Sequence, residues 1–225
     1  MTHNLIIYGG TGRGKTHYIN QRVLPKYELV IDLSRRPSRA ENRDRHLYVV
    51  SFEKYSSDSQ ECRPSESVSY ELNILLENLR NDITSFSELK KCLVIEDIQF
   101  TREFGESIAR LNESFGLDVV VATQSMESDC LFLPRGFFNE VMISTINFAP
   151  EILLPSIVDY LSTDLYNPSI SYDRNDYKFI RFSVNAYKVI ATKKSKDAEV
   201  LEETSENEDV KWLYMAEKHE IIGCE

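Results

Sequence analysis

Asn4-Leu-Ile-Ile-Tyr-Gly-Gly-Thr-Gly-Arg-Gly-Lys-Thr16 is the stretch from which the rest of the chain is read. Leu5–Tyr8 is an apolar run of strand character. It opens directly onto Gly9, Gly14, Lys15 and Thr16, which fill the G-x-x-x-x-G-K-[ST] pattern of a phosphate-binding loop. Triphosphate oxygens need several backbone N–H groups turned inward, and a glycine-rich turn allows so tight a curl. Lys15 would meet the β- and γ-phosphates as a compact charge, and Thr16 would offer its hydroxyl to Mg2+. A helix starting at Lys15 would aim its positive end at the phosphates. The expected nucleotide contacts are therefore Gly10, Thr11, Gly12, Arg13, Gly14, Lys15, Thr16 and His17, and the expected ligands are ATP and Mg2+.

A binding loop alone does not make a hydrolase. Cys92-Leu-Val-Ile-Glu-Asp97 reads as a buried strand that delivers two carboxylates to its C-terminal end, where α/β sheets place their ligands. One carboxylate would hold Mg2+ and the other would orient or deprotonate an attacking water. We assign Glu96 to the metal and Asp97 to the water, and the reverse order stays open. Val119-Val-Val-Ala-Thr-Gln-Ser125 is another apolar strand ending in polar groups, so Thr123 or Gln124 would reach the γ-phosphate or the water. Lys15, Glu96, Asp97 and Gln124 form the expected catalytic set, with Thr16 and Glu96 on the metal. A strand of this kind lying between the acidic strand and the loop strand marks NTPases that activate water with a carboxylate.

Apolar runs flanked by turn residues predict strands at 4–8, 28–33, 47–52, 92–96, 118–123 and 140–146. Continuous Val/Ile runs suit strands buried on both faces, as in a parallel sheet. Helices are predicted at 14–24, 69–81 and 103–115, the last with Phe104, Ile108, Leu111 and Phe115 at helical spacing. This alternation implies βαβ units and a doubly wound sheet. Residues 53–68 read as a Ser-rich surface loop, 152–161 as a helix, and 170–192 as a hairpin around Ser183–Asn185. The stretch 195–209 reads as charged and mobile, and Val210–Glu217 as a short amphipathic helix.

With 225 residues and 42% hydrophobic content, the chain suits one α/β domain with a small appendage. No apolar run approaches the roughly 18–20 residues of a membrane span, and the N-terminus lacks a secretion-signal layout, so a soluble cytosolic protein is expected. Cys62, Cys92, Cys130 and Cys224 are scattered without CxxC spacing, which predicts reduced thiols. His3, His17, His46 and His219 form no cluster, and metal chemistry beyond Mg2+ is not indicated. The net charge of −10 is uneven: Met1–His46 holds nine Lys/Arg against four acids, while Asp197–Glu225 holds ten acids against two lysines. A polyanion is therefore compatible with one face, because local field steers it.

Taken in order, Gly9–Thr16, Cys92–Asp97, Ala122-Thr-Gln-Ser125, Asp129 and Phe138-Asn-Glu-Val-Met-Ile-Ser-Thr-Ile-Asn-Phe148 resemble the FtsK/HerA superfamily of DNA-translocating ATPases over about the first 150 residues. Within it, the small size is similar to the genome-packaging ATPases of tailless, membrane-containing phages and related viruses. The resemblance implies an α/β fold of RecA-like P-loop NTPase type, with a mainly parallel central sheet flanked by helices and a small C-terminal hairpin and helix appendage. Residues 1–195 would form the ATPase domain with its hairpin, and 196–225 an acidic tail with a short helix. It also implies phosphate and Mg2+ roles for Lys15 and Thr16, acidic roles for Glu96 and Asp97, and a sensor role for Gln124. The family usually reads Asp-Glu where this chain reads Glu-Asp, which leaves the division between the two acids open.

Ring-forming members complete each site with an arginine from the neighbouring subunit, and the candidates here are Arg110, Arg135 and Arg102. Arg35, Arg36, Arg39 and Arg43, in a loop after the second strand, are candidates for contacting the DNA backbone without reading sequence, or else form a solvated surface loop. Arg13 is expected to pack near the phosphates or face solvent. The aromatics of the hairpin are expected to bury against the sheet rather than to stack on nucleic acid.

The function expected is ATP hydrolysis coupled to movement of double-stranded DNA, most simply the packaging of a viral genome into a preformed capsid. The expected partners are DNA, a homo-oligomeric ring and capsid or portal-vertex proteins, and the expected locations are the host cytoplasm and the virion. The alternatives are a filamentous-phage-type assembly ATPase, which normally carries a membrane segment, and a nucleotide-dependent regulatory module that moves no DNA.

Overall fold

The computed structural model describes residues 2–34, 46–49, 66–125, 132–144, 147, 157, 177–183, 186–193, 212–215 and 220–223. Leu5, Ile6 and Ile7 are all buried, so the strand β1 (Leu5–Tyr8) is covered on both faces. It is followed by the short helix α1 (Lys15–Tyr18), then β2 (Leu29–Ser34), β3 (His46–Val49), α2 (Glu66–Asp82), β4 (Lys91–Glu96), α3 (Arg102–Phe115), β5 (Asp118–Thr123) and β6 (Glu140–Ser144). The strands β7 (Tyr177–Ser183), β8 (Ala186–Lys193), β9 (Trp212–Met215) and β10 (Glu220–Gly223) complete the described elements.

Side-by-side order in the sheet is β10-β9-β8-β7-β6-β1-β5-β4-β2-β3. From β3 to β6 every pairing is parallel, giving a six-stranded parallel core. β7 then adds antiparallel to β6, and β8 antiparallel to β7. β5 lies between β4 and β1, so one strand separates the acidic strand from the loop strand, as expected.

Alternation along the strands divides the core in two. Ile6, Ile31, Leu93, Ile95, Val119, Val121, Val141 and Ile143 pack with α2 and α3, while Leu5, Ile7, Val30, Cys92, Val94, Val120 and Met142 pack with the α1 segment. The helix α3 presents Phe104, Ile108, Leu111 and Phe115 to the first layer. Its start is capped by the Thr101 hydroxyl, which accepts from the Phe104 N–H at 3.2 Å, and its end by Gly116 in the left-handed conformation at φ 61°. Leu72 and Leu76 of α2 are fully buried, each contributing about 1.5–3 kcal/mol by transfer from water.

The elements match the reading from sequence with particular differences. The helix predicted over 14–24 is one α-turn, Lys15–Tyr18, continued by a π-turn at Ile19–Val23 and a 3-10 turn at Leu24–Lys26. Pro25, with no N–H to donate, lies in that last turn. α2 begins at Glu66, inside the stretch read as surface loop. Where a short helix was predicted around Val210–Glu217, Trp212–Met215 is instead the strand β9. Its Trp-Leu-Tyr-Met run favours a pleated surface. The hairpin falls as predicted, with β7 and β8 on either side of Ser183–Asn185, and Phe179 is buried against Tyr18 with ring centroids 5.9 Å apart. Arg35, Arg36, Arg39, Arg43, Asp129, the charged stretch 195–209 and, apart from Ile157, the helix predicted over 152–161 lie outside the described residues.

Candidate nucleotide site

Parallel pairing brings the C-terminal ends of β1, β4, β5 and β6 to one edge of the sheet. Tyr8 lies level with Thr123 on one side and Ile143 on the other, and Glu96 is level with Ala122. The loop after β1, the two acids after β4 and the polar residues after β5 therefore emerge together, at the edge where open α/β sheets bind ligands.

The loop is shaped by its glycines at two kinds of position. Gly12 and Gly14 adopt φ 74° and 87°, a region costly for residues with a Cβ. Gly9 is required for space instead, since a Cβ there would lie 2.9 Å from Ser144 Cβ at the end of β6. Lys15 is buried at 8% exposure, and its Nζ donates to the carbonyls of Gly9 at 2.7 Å and Gly10 at 3.2 Å. Burial pushes its pKa below the usual lysine value, opposed by the negative charges of Asp97 and then Glu96. The ammonium thus sits where an incoming polyanion would find it already partly stripped of water.

Glu96 is the last residue of β4 and is buried, whereas Asp97 is exposed. The chain turns between them: Asp97 has φ 55°, a left-handed conformation unusual for a residue other than glycine, and its N–H donates to the Ala122 carbonyl at 3.3 Å. Gln124 Nε2 donates to Asp97 Oδ1 at 3.2 Å, and Thr11 Oγ1 donates to Gln124 Oε1 at 3.3 Å. One glutamine amide thereby spans from the acidic strand to the tip of the loop.

Thr11–His17, Glu96, Asp97 and Gln124 line a single cavity of about 330 Å3, within the range of small-molecule sites. All four residues of the expected catalytic set meet there. Gly10 does not line it, and its N–H donates instead to Asn147 Oδ1 at 3.2 Å. Asn147 was given no role from the sequence, and only the loop's close approach to the chain beyond β6 exposes it.

Thr16 and Glu96 both line this cavity and carry a hydroxyl and a carboxylate. They are the hard oxygen donors Mg2+ prefers, and magnesium in triphosphate sites is held by one or two such groups together with phosphate and water. The residues present therefore fit the ion.

None of the three candidate trans arginines lines the cavity. Arg110 lies exposed along α3 with Nη2 on Ser107 Oγ at 3.3 Å. Arg135 is in the turn before β6, at the opposite edge of the sheet from the loop. Arg102 stands in the first turn of α3, on the nucleotide edge, with its guanidinium 5.8 Å from the centre of the Phe132 ring.

Strand order and loop give the chain the architecture of a RecA-like α/β P-loop fold, in which the acidic strand is set one strand away from the loop strand. No protein-family model matches the chain, and neither does any curated protein sequence. Among solved structures it is similar to the genome packaging NTPase B204 from Sulfolobus turreted icosahedral virus 2. For the complex with AMP the identity is 14%, over 84% of this chain and 96% of that one, with a TM-score of 0.47. The complex with ATP-gammaS gives 14% identity over 84% and 95%, with a TM-score of 0.46. Among the described residues, no helix is long and apolar enough to cross a membrane.

Proposed function

We propose that this chain is an ATPase that moves double-stranded DNA and packages a viral genome into a preformed capsid, working as a homo-oligomeric ring. The observation that carries the hydrolase reading is the convergence of Lys15, Glu96, Asp97 and Gln124 on one cavity at the C-terminal edge of the sheet. DNA movement and packaging are supported by the motif order from Gly9 to Phe148 that resembles the FtsK/HerA translocases.

In this reading the loop amides and Lys15 bind the β- and γ-phosphates of ATP. Thr16 and Glu96 hold Mg2+, which when bound neutralises charge on the phosphate oxygens. Asp97 orients a water and accepts its proton as the water oxygen attacks the γ-phosphorus. The bond from that phosphorus to the β–γ bridging oxygen breaks, leaving ADP and inorganic phosphate. Gln124 fixes Asp97 through the 3.2 Å bond and reports the loss of the γ-phosphate to Thr11 through the 3.3 Å bond. Subunit-interface changes then move basic loops along the phosphate backbone, which gives grip without sequence readout. The protein would act in the host cytoplasm and at the packaging vertex of the virion.

The test is displacement of a triplex-forming oligonucleotide from linear duplex DNA. ATP-dependent displacement by the wild type, lost in Lys15→Ala, is the expected result. Hydrolysis that proceeds on DNA without any displacement would overturn the motor reading.

A further inference from the structure

β6 runs parallel to β1 on the side away from β5, so the chain leaving β6 at Ser144 rises beside the loop leaving β1 at Gly9. Two consecutive amides at the start of the loop are held from opposite sides. The Gly9 N–H donates to the Thr123 carbonyl of β5 at 3.2 Å, and the Gly10 N–H donates to Asn147 Oδ1 at 3.2 Å. The same two residues carry the carbonyls that hold Lys15 Nζ.

We infer that Asn147 is a positioning residue of the nucleotide site: it fixes the Gly9–Gly10 peptide plane, and through the Gly9 carbonyl in that plane the Lys15 ammonium, while keeping the Gly10 amide out of the phosphate nest. This deepens the proposed function and rests on its nucleotide-binding part. Side-chain chemistry accounts for the choice of residue. An N–H needs an acceptor, and the carboxamide supplies one without a charge. A carboxylate would accept the same hydrogen bond but would set a negative charge beside the triphosphate. Position adds a consequence: β6 is also the strand on which the antiparallel β7 is built, so Asn147 connects the loop to the junction of the two parts of the sheet.

Binding of a fluorescent non-hydrolysable ATP analogue to the wild type, Asn147→Ala and Asn147→Asp tests this, at pH 8 and pH 5, with melting temperatures as a check on folding. Asn147→Ala is expected to weaken binding about 3–10-fold at both pH values, the worth of one hydrogen bond. Asn147→Asp is expected to lose about 10-fold or more at pH 8 and to recover relative to wild type at pH 5, because the bound polyanion favours the protonated carboxyl. Equal affinity in all three proteins would overturn the inference, as would equal losses in both variants with no difference between pH 8 and pH 5. A wild type that binds no analogue would overturn the nucleotide reading itself and this inference with it, so the two failures are distinct.

Discussion

Gln124 Nε2 donates to Asp97 Oδ1 at 3.2 Å, joining the C-terminal ends of two neighbouring parallel strands. The bond fixes a carboxylate that is otherwise exposed and follows a left-handed turn at φ 55°. Replacing Gln124 by Ala frees Asp97 and the Thr11 hydroxyl while leaving Lys15 on the Gly9 and Gly10 carbonyls. The expected result in steady-state kinetics is a fall in kcat on the order of 10²-fold, with KM for ATP changed much less.

Gly9→Ala tests the close approach of the loop to β6. The new Cβ would fall 2.9 Å from Ser144 Cβ, so one strand end must shift. A loss of about 1–3 kcal/mol in urea unfolding is expected, the range for overpacking a close-packed interior. Adding Ser144→Gly to this variant removes the opposing atom and is expected to restore much of the stability.

Lys15 has a definite sign in the pH dependence of stability. Burial lowers its folded-state pKa, so over the interval between that value and the usual lysine value the unfolded chain binds more protons and stability rises with pH. Below that interval the nucleotide-free protein bears the full penalty of a buried ammonium. Lys15→Met is therefore expected to melt at or above the wild-type temperature at pH 7, with the gap narrowing toward pH 10, while losing nucleotide binding.

At the opposite edge of the sheet, Asn4 is a buried connector. Its Nδ2 donates to the Phe137 carbonyl at 2.9 Å, and its Oδ1 accepts from Asn112 Nδ2 and the Val119 N–H, each at 3.0 Å. Asn4→Leu takes the acceptor from the buried Val119 N–H and leaves Asn112 Nδ2 with only the Leu117 carbonyl, and a loss of about 2–4 kcal/mol in equilibrium unfolding is expected.

The parallel core was legible because Leu5–Tyr8, Cys92–Ile95 and Val119–Ala122 are continuous apolar runs, each ending in the residue types that a triphosphate site needs. Their side-by-side order followed from chemistry: the acidic pair and the Thr123-Gln124 end make one site only if β5 lies between β4 and β1. Asn147 and Asn4 were not legible in the same way. Their partners lie more than a hundred residues away, Gly10 137 positions from Asn147, and no local pattern encodes such a contact. The strand at Trp212–Met215 was missed because a four-residue aromatic and aliphatic run has too little length to separate period two from period 3.6. The π-turn after α1 has no signature beyond Pro25 at its far side.

The most direct test of the account is the steady-state ATPase rate with and without double-stranded DNA, for the wild type, Lys15→Ala and Asp97→Asn. The account predicts hydrolysis by the wild type that DNA stimulates, loss of both binding and turnover in Lys15→Ala, and retained ATP binding with lost turnover in Asp97→Asn. A wild type that binds ATP and turns it over no faster on DNA, or an Asp97→Asn variant as active as the wild type, would contradict it.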